Sequence, residues 1–254
     1  MKKLLLPALV AALLMSASAA QAVTITYGYV TPTDGSGKTS ALAGINNQSS
    51  SNVFVETFDR EDGTGGLTLP PNQVSVTTVS GGGFGFAQGD LAGVYAAPAN
   101  DATHFAYGPS QNGGSDSAEV NVNFAGLLSG LGSNASLNYF GLYYGSIDTY
   151  NDVVFYDANG DILQTVTGTS LIQQFNGTSG NQEADSSNIY VNLFFTPSEQ
   201  FTSFSFRTSG RAFEVDNLVV GYQVSQNEVP EPASLALFGL GLAGAGFARR
   251  RNKK

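Results

Sequence analysis

Residues 23–225 carry no sustained 3.6-residue periodicity, so a helical architecture has no basis in this sequence. What recurs is a short alternating run of Val, Ile, Thr, Tyr and Phe, closed at each end by Gly, Asn, Asp, Ser or Pro. Residues 74–79, 118–124, 188–195, 201–206 and 212–220 are the clearest examples. Residues 153–156 and 162–163 flank Asp157-Ala158-Asn159-Gly160-Asp161, where the Asn-Gly pair accepts the positive φ of a tight hairpin. Ten or more such segments predict an all-β chain: an antiparallel two-sheet β-sandwich, jelly-roll-like in its connections. Gly81-Gly82-Gly83 and Asn112-Gly113-Gly114 read as loops or bulges. No shift in composition divides residues 23–225, which are predicted to form one domain.

Composition narrows the chemistry. The chain has no Cys and a single His, so disulfides, thiolate metal clusters and cysteine nucleophiles are excluded. A zinc site built on His104 would lack further nitrogen or sulfur ligands. His104 lies in a strand-like stretch, Ala102–Tyr107, without a G-x-S-x-G elbow elsewhere, and reads as structural. No phosphate-binding G-x-x-x-x-G-K-[ST] loop is present. Charge is unevenly distributed: residues 23–229 hold 4 basic and 19 acidic side chains, a net −15. Such a surface repels phosphate backbones, so nucleic acid is not an expected partner.

Both ends differ from this body. Lys2 and Lys3 precede an apolar run from Leu4 to Met15, and small residues lead to Ala20-Gln21-Ala22. This is the three-part pattern of a secretory signal peptide over residues 1–22, with Ala20 and Ala22 as the A-x-A cleavage site. At the far end, residues 226–232 form a linker that includes Val229-Pro230-Glu231-Pro232. Residues 233–248 are uncharged, and Arg249, Arg250 and Arg251 open a basic tail over 249–254. Sixteen residues make a helix of roughly 24 Å, able to span a bilayer that thins locally around snorkelling basic side chains. The basic cluster predicts a cytoplasmic C-terminus for this single transmembrane helix. The two prolines keep the segment before it extended, a form a protease cleft can grip.

Taken in order, Pro-Glu-Pro, the short Gly-rich span and the Arg cluster resemble the PEP-CTERM sorting signal of Gram-negative bacteria. The resemblance covers about the last 25 residues. It implies removal of the tail by the membrane protease exosortase, after signal peptidase has acted at the other end. It also implies delivery to the cell surface or extracellular matrix, often beside exopolysaccharide. Residues 137–157, with an aromatic strand, Gly145-Ser146 and Asp148-Thr149-Tyr150-Asn151, are similar to a segment recurring in the bodies of some such proteins.

The body itself offers two candidate ligand sites. Hard Ca²⁺ wants several oxygen ligands, and it is the one cofactor these residues invite. Asp157–Asp161 begins like an EF-hand loop, but Gly160 falls at the fourth position and Gly168 occupies the twelfth, so that reading fails. A second candidate set joins Glu56 or Asp59 to Asp216 in the last strand, an arrangement similar to that of some jelly-roll carbohydrate-binding modules. Tyr143, Tyr144 and Tyr150 are candidates for a sugar-stacking platform, against the alternative of cross-strand packing. No residue is assigned a catalytic role. The leading expectation is a structural, non-enzymatic surface protein; the alternative is an extracellular carbohydrate-binding module that uses calcium.

Overall fold

Strand formation follows from alternation where one face is wet. In Ala118–Asn123, Ala118, Val120 and Val122 are buried while Glu119, Asn121 and Asn123 are half exposed. We describe a computed structural model covering residues 23–110, 115–132 and 135–224. The predicted signal peptide, linker, transmembrane helix and basic tail lie outside the described residues. Among the described residues, no helix is long and apolar enough to cross a membrane.

Twelve strands are described: β1 (Thr24–Thr26), β2 (Val53–Glu56), β3 (Ser75–Gly81), β4 (Gly85–Gln88), β5 (His104–Gly108) and β6 (Ala118–Asn123), followed by β7 (Ala135–Gly145), β8 (Asn151–Tyr156), β9 (Ile162–Thr167), β10 (Ile189–Phe194), β11 (Ser203–Thr208) and β12 (Phe213–Val224). They form two antiparallel sheets. One has the order β1-β10-β7-β12-β5-β4, with β2 also paired to β12; the other has the order β3-β6-β11-β8-β9. From β5 onward the chain passes repeatedly between the sheets, so the last strand, β12, sits in the middle of the first. The predicted hairpin is β8 and β9, whose loop closes through Asp157 Oδ1 accepting from the Asn159 and Asp161 amides, with Gly160 at φ 85°.

The sheets meet across an aromatic core. Phe140 of β7 packs edge-on to Phe155 of β8, ring centres 5.0 Å apart, and to Phe204 of β11 at 4.9 Å. Phe195 and Phe201 close around Phe155 at 4.9 and 5.2 Å. Two short helices that the strand pattern did not predict cap this core: α1 (Ala125–Leu131) and α2 (Gly168–Phe175). The α2 helix begins at Thr167, whose side chain accepts from the Ser170 amide, and ends at Asn176 with φ 55°. At two turns each, both are too short for helical periodicity to stand out from their surroundings.

A second layer covers the outer face of the larger sheet. Val53, Val55, Tyr139, Tyr143, Tyr190 and Val219 form an apolar cluster there, apart from the main core. Segment 36–47 lies over it, burying Ser36, Lys38, Thr39, Ser40 and Asn47. Consequently β7, β10 and β12 are buried on both faces, and their sequences read as nearly continuous apolar or small runs.

One irregularity determines what β12 presents to this layer. Its pairing with β7 shifts by one residue between Asp216 and Val219, and Asn217 adopts φ 46°. Phe213, Val215, Leu218 and Val220 point into the main core, whereas Val219 joins the outer cluster. A bulge at Asn217 is what lets two successive polar side chains, Asp216 and Asn217, share the outer side.

Candidate functional site

The outer polar layer is built around that bulge. Asn217 Nδ2 donates to the carbonyls of Ser36 and Lys38 at 2.8 and 2.9 Å, and Asn47 Nδ2 donates to Asn217 Oδ1 at 2.6 Å. These bonds hold segment 36–47 against β12. Lys38 is nearly buried beside Tyr143, and its ammonium donates to Asp185 at 2.9 Å and to the Asn188 carbonyl at 2.6 Å.

Asp216 lies in this layer with 0% exposure; its carboxylate stands beside the Asn217 amide and the Asp101 carboxylate, but neither oxygen makes a well-formed hydrogen bond. Burial pushes its pKa well above the ordinary range, and the nearby carboxylates of Asp101 and Asp59 add to the effect. Asp101 is 9% exposed; its Oδ1 accepts from the amide and hydroxyl of Thr103, both at 2.8 Å, while Oδ2 is buried without a partner. Burial raises its pKa as well. The Asp101 backbone bridges to Ser36, the same residue that Asn217 grips, so the two acids are tied to one node.

The other predicted calcium ligands have partners of their own. Val53 and Val55 of β2 belong to the outer cluster, and Phe54 packs on the main core. Strand alternation therefore sends Glu56 inward, away from Asp216. Its carboxylate is also fully occupied, accepting from the amides of Phe58, Thr68 and Leu69 and from the Thr68 hydroxyl. Glu56 fastens the loop that follows β2; it does not belong to a shared site with Asp216. Asp59 Oδ1 accepts from the His104 amide at 2.9 Å and lies 3.0 Å from His104 Nδ1. Pairing with Asp59 gives the lone histidine a structural place in the fold.

The tyrosines divide too. Tyr143 and Tyr144 are 0% and 1% exposed, so they cannot form a platform with Tyr150. Tyr143 lies in the outer layer, where its hydroxyl donates to the Ala99 carbonyl, and Tyr144 packs against Phe213 in the core. A sheet covered on both faces leaves no exposed side for either ring. Only Tyr150 reaches a surface cavity, of about 310 Å³, which it lines with Tyr95, Ser146, Asp148, Arg211 and Glu214.

This cleft has its own electrostatics. The Tyr150 hydroxyl is 2.7 Å from Asp148 Oδ2 and 2.6 Å from the Arg211 carbonyl. Burial raises its pKa, and the Asp148 carboxylate reinforces that shift. Asp148 thus serves a tyrosine and, through Oδ1, the Ser179 hydroxyl at 3.0 Å. Asn151 likewise reaches across, donating to the Ala212 carbonyl at 3.0 Å. At the cleft floor Glu214 accepts from the Ala96 amide at 3.0 Å and the Ser146 hydroxyl at 3.2 Å. Burial lifts its pKa to about 7. Sequence reading passed over Glu214 and Asp101. The visible signals were a carboxylate between two apolar residues, Phe213 and Val215, and an Asp two residues before a Thr at a strand start.

No curated protein matches this sequence. Among solved structures, it is similar to the K2 cleaved adhesin domain of Lys-gingipain, at 14% identity and TM-score 0.35, over 66% of this chain and 98% of that one. It is also similar to the enzymatically active domain of tailspike protein 4 of bacteriophage CBA120, at 11% identity and TM-score 0.29, over 59% of this chain and 19% of that one. Neither likeness is strong enough to carry a functional argument. The tail is different in kind: residues 228–252 match the family described as the PEP-CTERM protein-sorting motif. That span holds Val229, Pro230, Glu231, Pro232, Arg249, Arg250 and Arg251, all outside the described residues. By this match, the C-terminal segment of the chain is a PEP-CTERM protein-sorting motif.

Proposed function

We propose that this protein is exported, released from its C-terminal signal by exosortase, and retained at the cell surface or in the extracellular matrix as a structural, non-enzymatic component. The sorting motif at residues 228–252 carries the reading. In it, signal peptidase cuts after Ala22, residues 233–248 hold the precursor in the inner membrane, and Arg249, Arg250 and Arg251 keep its end in the cytoplasm. Residues 23–225 then act as one β-sandwich. Its jelly-roll-like character is supported by the pairing orders β5-β12-β7-β10 and β6-β11-β8-β9, in which eight consecutive strands wrap across two sheets.

The Pro230→Ala, Pro232→Ala double variant tests this directly. Its unprocessed form should accumulate in the inner-membrane fraction, and released protein should fall at least about tenfold. Wild-type release from the double variant would remove the motif from the processing step.

The cleft beside Tyr150 favours a second reading, a carbohydrate-binding module associated with exopolysaccharide. Two tyrosine rings flank carboxylate and hydroxyl hydrogen-bonding groups there, the mixture that sugar faces and hydroxyls require. A glycan array probed with wild-type protein should then show binding that Tyr150→Ala weakens roughly tenfold, about 1.4 kcal/mol. A flat array leaves the purely structural reading in place.

A further inference from the structure

We propose that Asp101 and Asp216 form an internal binding site for a divalent cation of the calcium type. Asp216 is wholly buried with its carboxylate against that of Asp101, and neither Asp216 oxygen nor Asp101 Oδ2 makes a well-formed hydrogen bond. An ionised carboxylate in that position is strongly destabilising unless a charge or hydrogen-bond donor meets it. Among the described residues no cationic side chain does so. Lys38, the buried ammonium in the same layer, is spent on Asp185 and the Asn188 carbonyl. His104 faces Asp59, and the remaining ion pairs are those of Arg60, Arg207 and Arg211 with other acids.

The surrounding fold holds the two acids in place. The Asn217 bulge turns Asp216 into the outer layer, and Asn217 and Asp101 both anchor on Ser36. Thr103 occupies Asp101 Oδ1 and leaves Oδ2 free. Three oxygens from two carboxylates are a sound start for Ca²⁺, which takes six to eight at about 2.3–2.6 Å. No group of three or more acidic, His or Cys side chains suited to a metal occurs among the described residues, so the other ligands must be backbone carbonyls, neutral side chains and water. The inference does not depend on the sorting signal or on sugar binding.

The competing occupant is a proton, shared between the two acids as an acid–carboxylate pair, and one set of measurements separates the cases. Full-length protein in mild detergent is melted at pH 7.5 in EDTA, in millimolar Ca²⁺ and in millimolar Mg²⁺. At a hundredfold excess over Kd, Ca²⁺ should raise Tm by about 5–10 °C, with a smaller effect of Mg²⁺. Tb³⁺ provides a second readout. The chain contains no Trp, and Tyr143 stands opposite Asp216 in the β7–β12 register, so tyrosine-sensitised Tb³⁺ emission should appear and Ca²⁺ should displace it. Asp216→Asn and, separately, Asp101→Asn should each abolish both signals. An unchanged wild-type Tm with no Tb³⁺ emission overturns the proposal in favour of the shared proton. A Ca²⁺ shift that survives in both variants places the cation elsewhere and overturns it too.

Discussion

Phe155→Ala should lower the unfolding free energy by about 3–5 kcal/mol and Tm by roughly 10–15 °C. Phe155 is fully buried in β8, and its ring meets Phe140, Phe195, Phe201 and Phe204 at centre distances between 4.9 and 6.1 Å. Truncation removes both the transfer free energy of the ring and the edge-to-face contacts that join the two sheets. The surrounding rings sit on β7, on β11 and on the connection between β10 and β11, all anchored by strand pairing, so they cannot all close inward to fill the space. Ile162→Ala, at a side chain 61% exposed, is the matched control and should stay within about 0.5 kcal/mol. Chemical denaturation of both variants measures this; a loss under 1 kcal/mol at Phe155 would mean that the sheets do not pack as described.

The second large effect is a response to pH. In EDTA, the protein should be more stable at pH 5 than at pH 8. The Glu214 carboxyl has an ordinary value of 4.5 and is held at about 7 in the fold, by burial first and by the Asp148 charge as a lesser cause. Below pH 4.5 both folded and unfolded chains carry its proton. Between about 4.5 and 7 the unfolded chain has lost that proton while the native chain keeps it, so stability falls as pH rises through this window. The shift corresponds to about 3 kcal/mol. Glu56, Asp101 and Asp216 are raised by burial as well, which gives contributions of the same sign. Exposed Asp62 and Asp157 are lowered from 3.8 by local hydrogen bonds and act in the opposite sense only below that pH. Glu214→Gln should remove a large part of the slope, because the amide oxygen can accept from Ala96 and its NH2 can donate to the Ser146 hydroxyl without titrating. Ca²⁺ should flatten it further by holding Asp101 and Asp216 ionised. Urea titrations at pH 5, 6, 7 and 8 measure the profile, and stability that is constant or rises toward pH 8 would contradict it.

How far the sequence led depended on whether one face of each strand meets water. β6 alternates Ala, Val and Val with Glu and Asn, and its extent matched the expected segment 118–124 to within a residue. The hairpin at Asp157–Asp161 was legible for a similar reason: Gly160 and the Asp157 side chain build the turn locally. Local pattern was less informative for β12. Its run from Phe213 to Val220 contains three polar side chains that alternation alone cannot orient, because the bulge at Asn217 resets the phase. Of the two expected partners for Asp216, Glu56 is sent to the other face on the same ground, whereas Asp59 stays near enough to raise the Asp216 pKa. Each acid was recognisable, but the face that each occupies depends on strand register.

The tyrosine platform failed for a related reason. Tyr143, Tyr144 and Tyr150 lie close together in the chain, yet β7 sends the first two to opposite buried faces and the loop after it brings Tyr150 to the cleft. Nothing near Tyr143 in sequence announces that segment 36–47 will fold over its face. That cover is held by contacts between residues far apart in the chain, such as Asn47 with Asn217, 170 positions apart.

The sequence by itself determined the strand-rich character of the body, its net −15 charge and the sorting motif, because each depends on residues adjacent in the chain or simply counted. Tertiary structure alone decided which of the 19 acids of the body are buried, which are satisfied, and which two are left facing each other without a counter-charge. Burial and electrostatic pairing are properties of groups brought together from distant parts of the chain. Asp101 and Asp216 acquire theirs only when β12 is threaded into the centre of a sheet and a loop is laid across it.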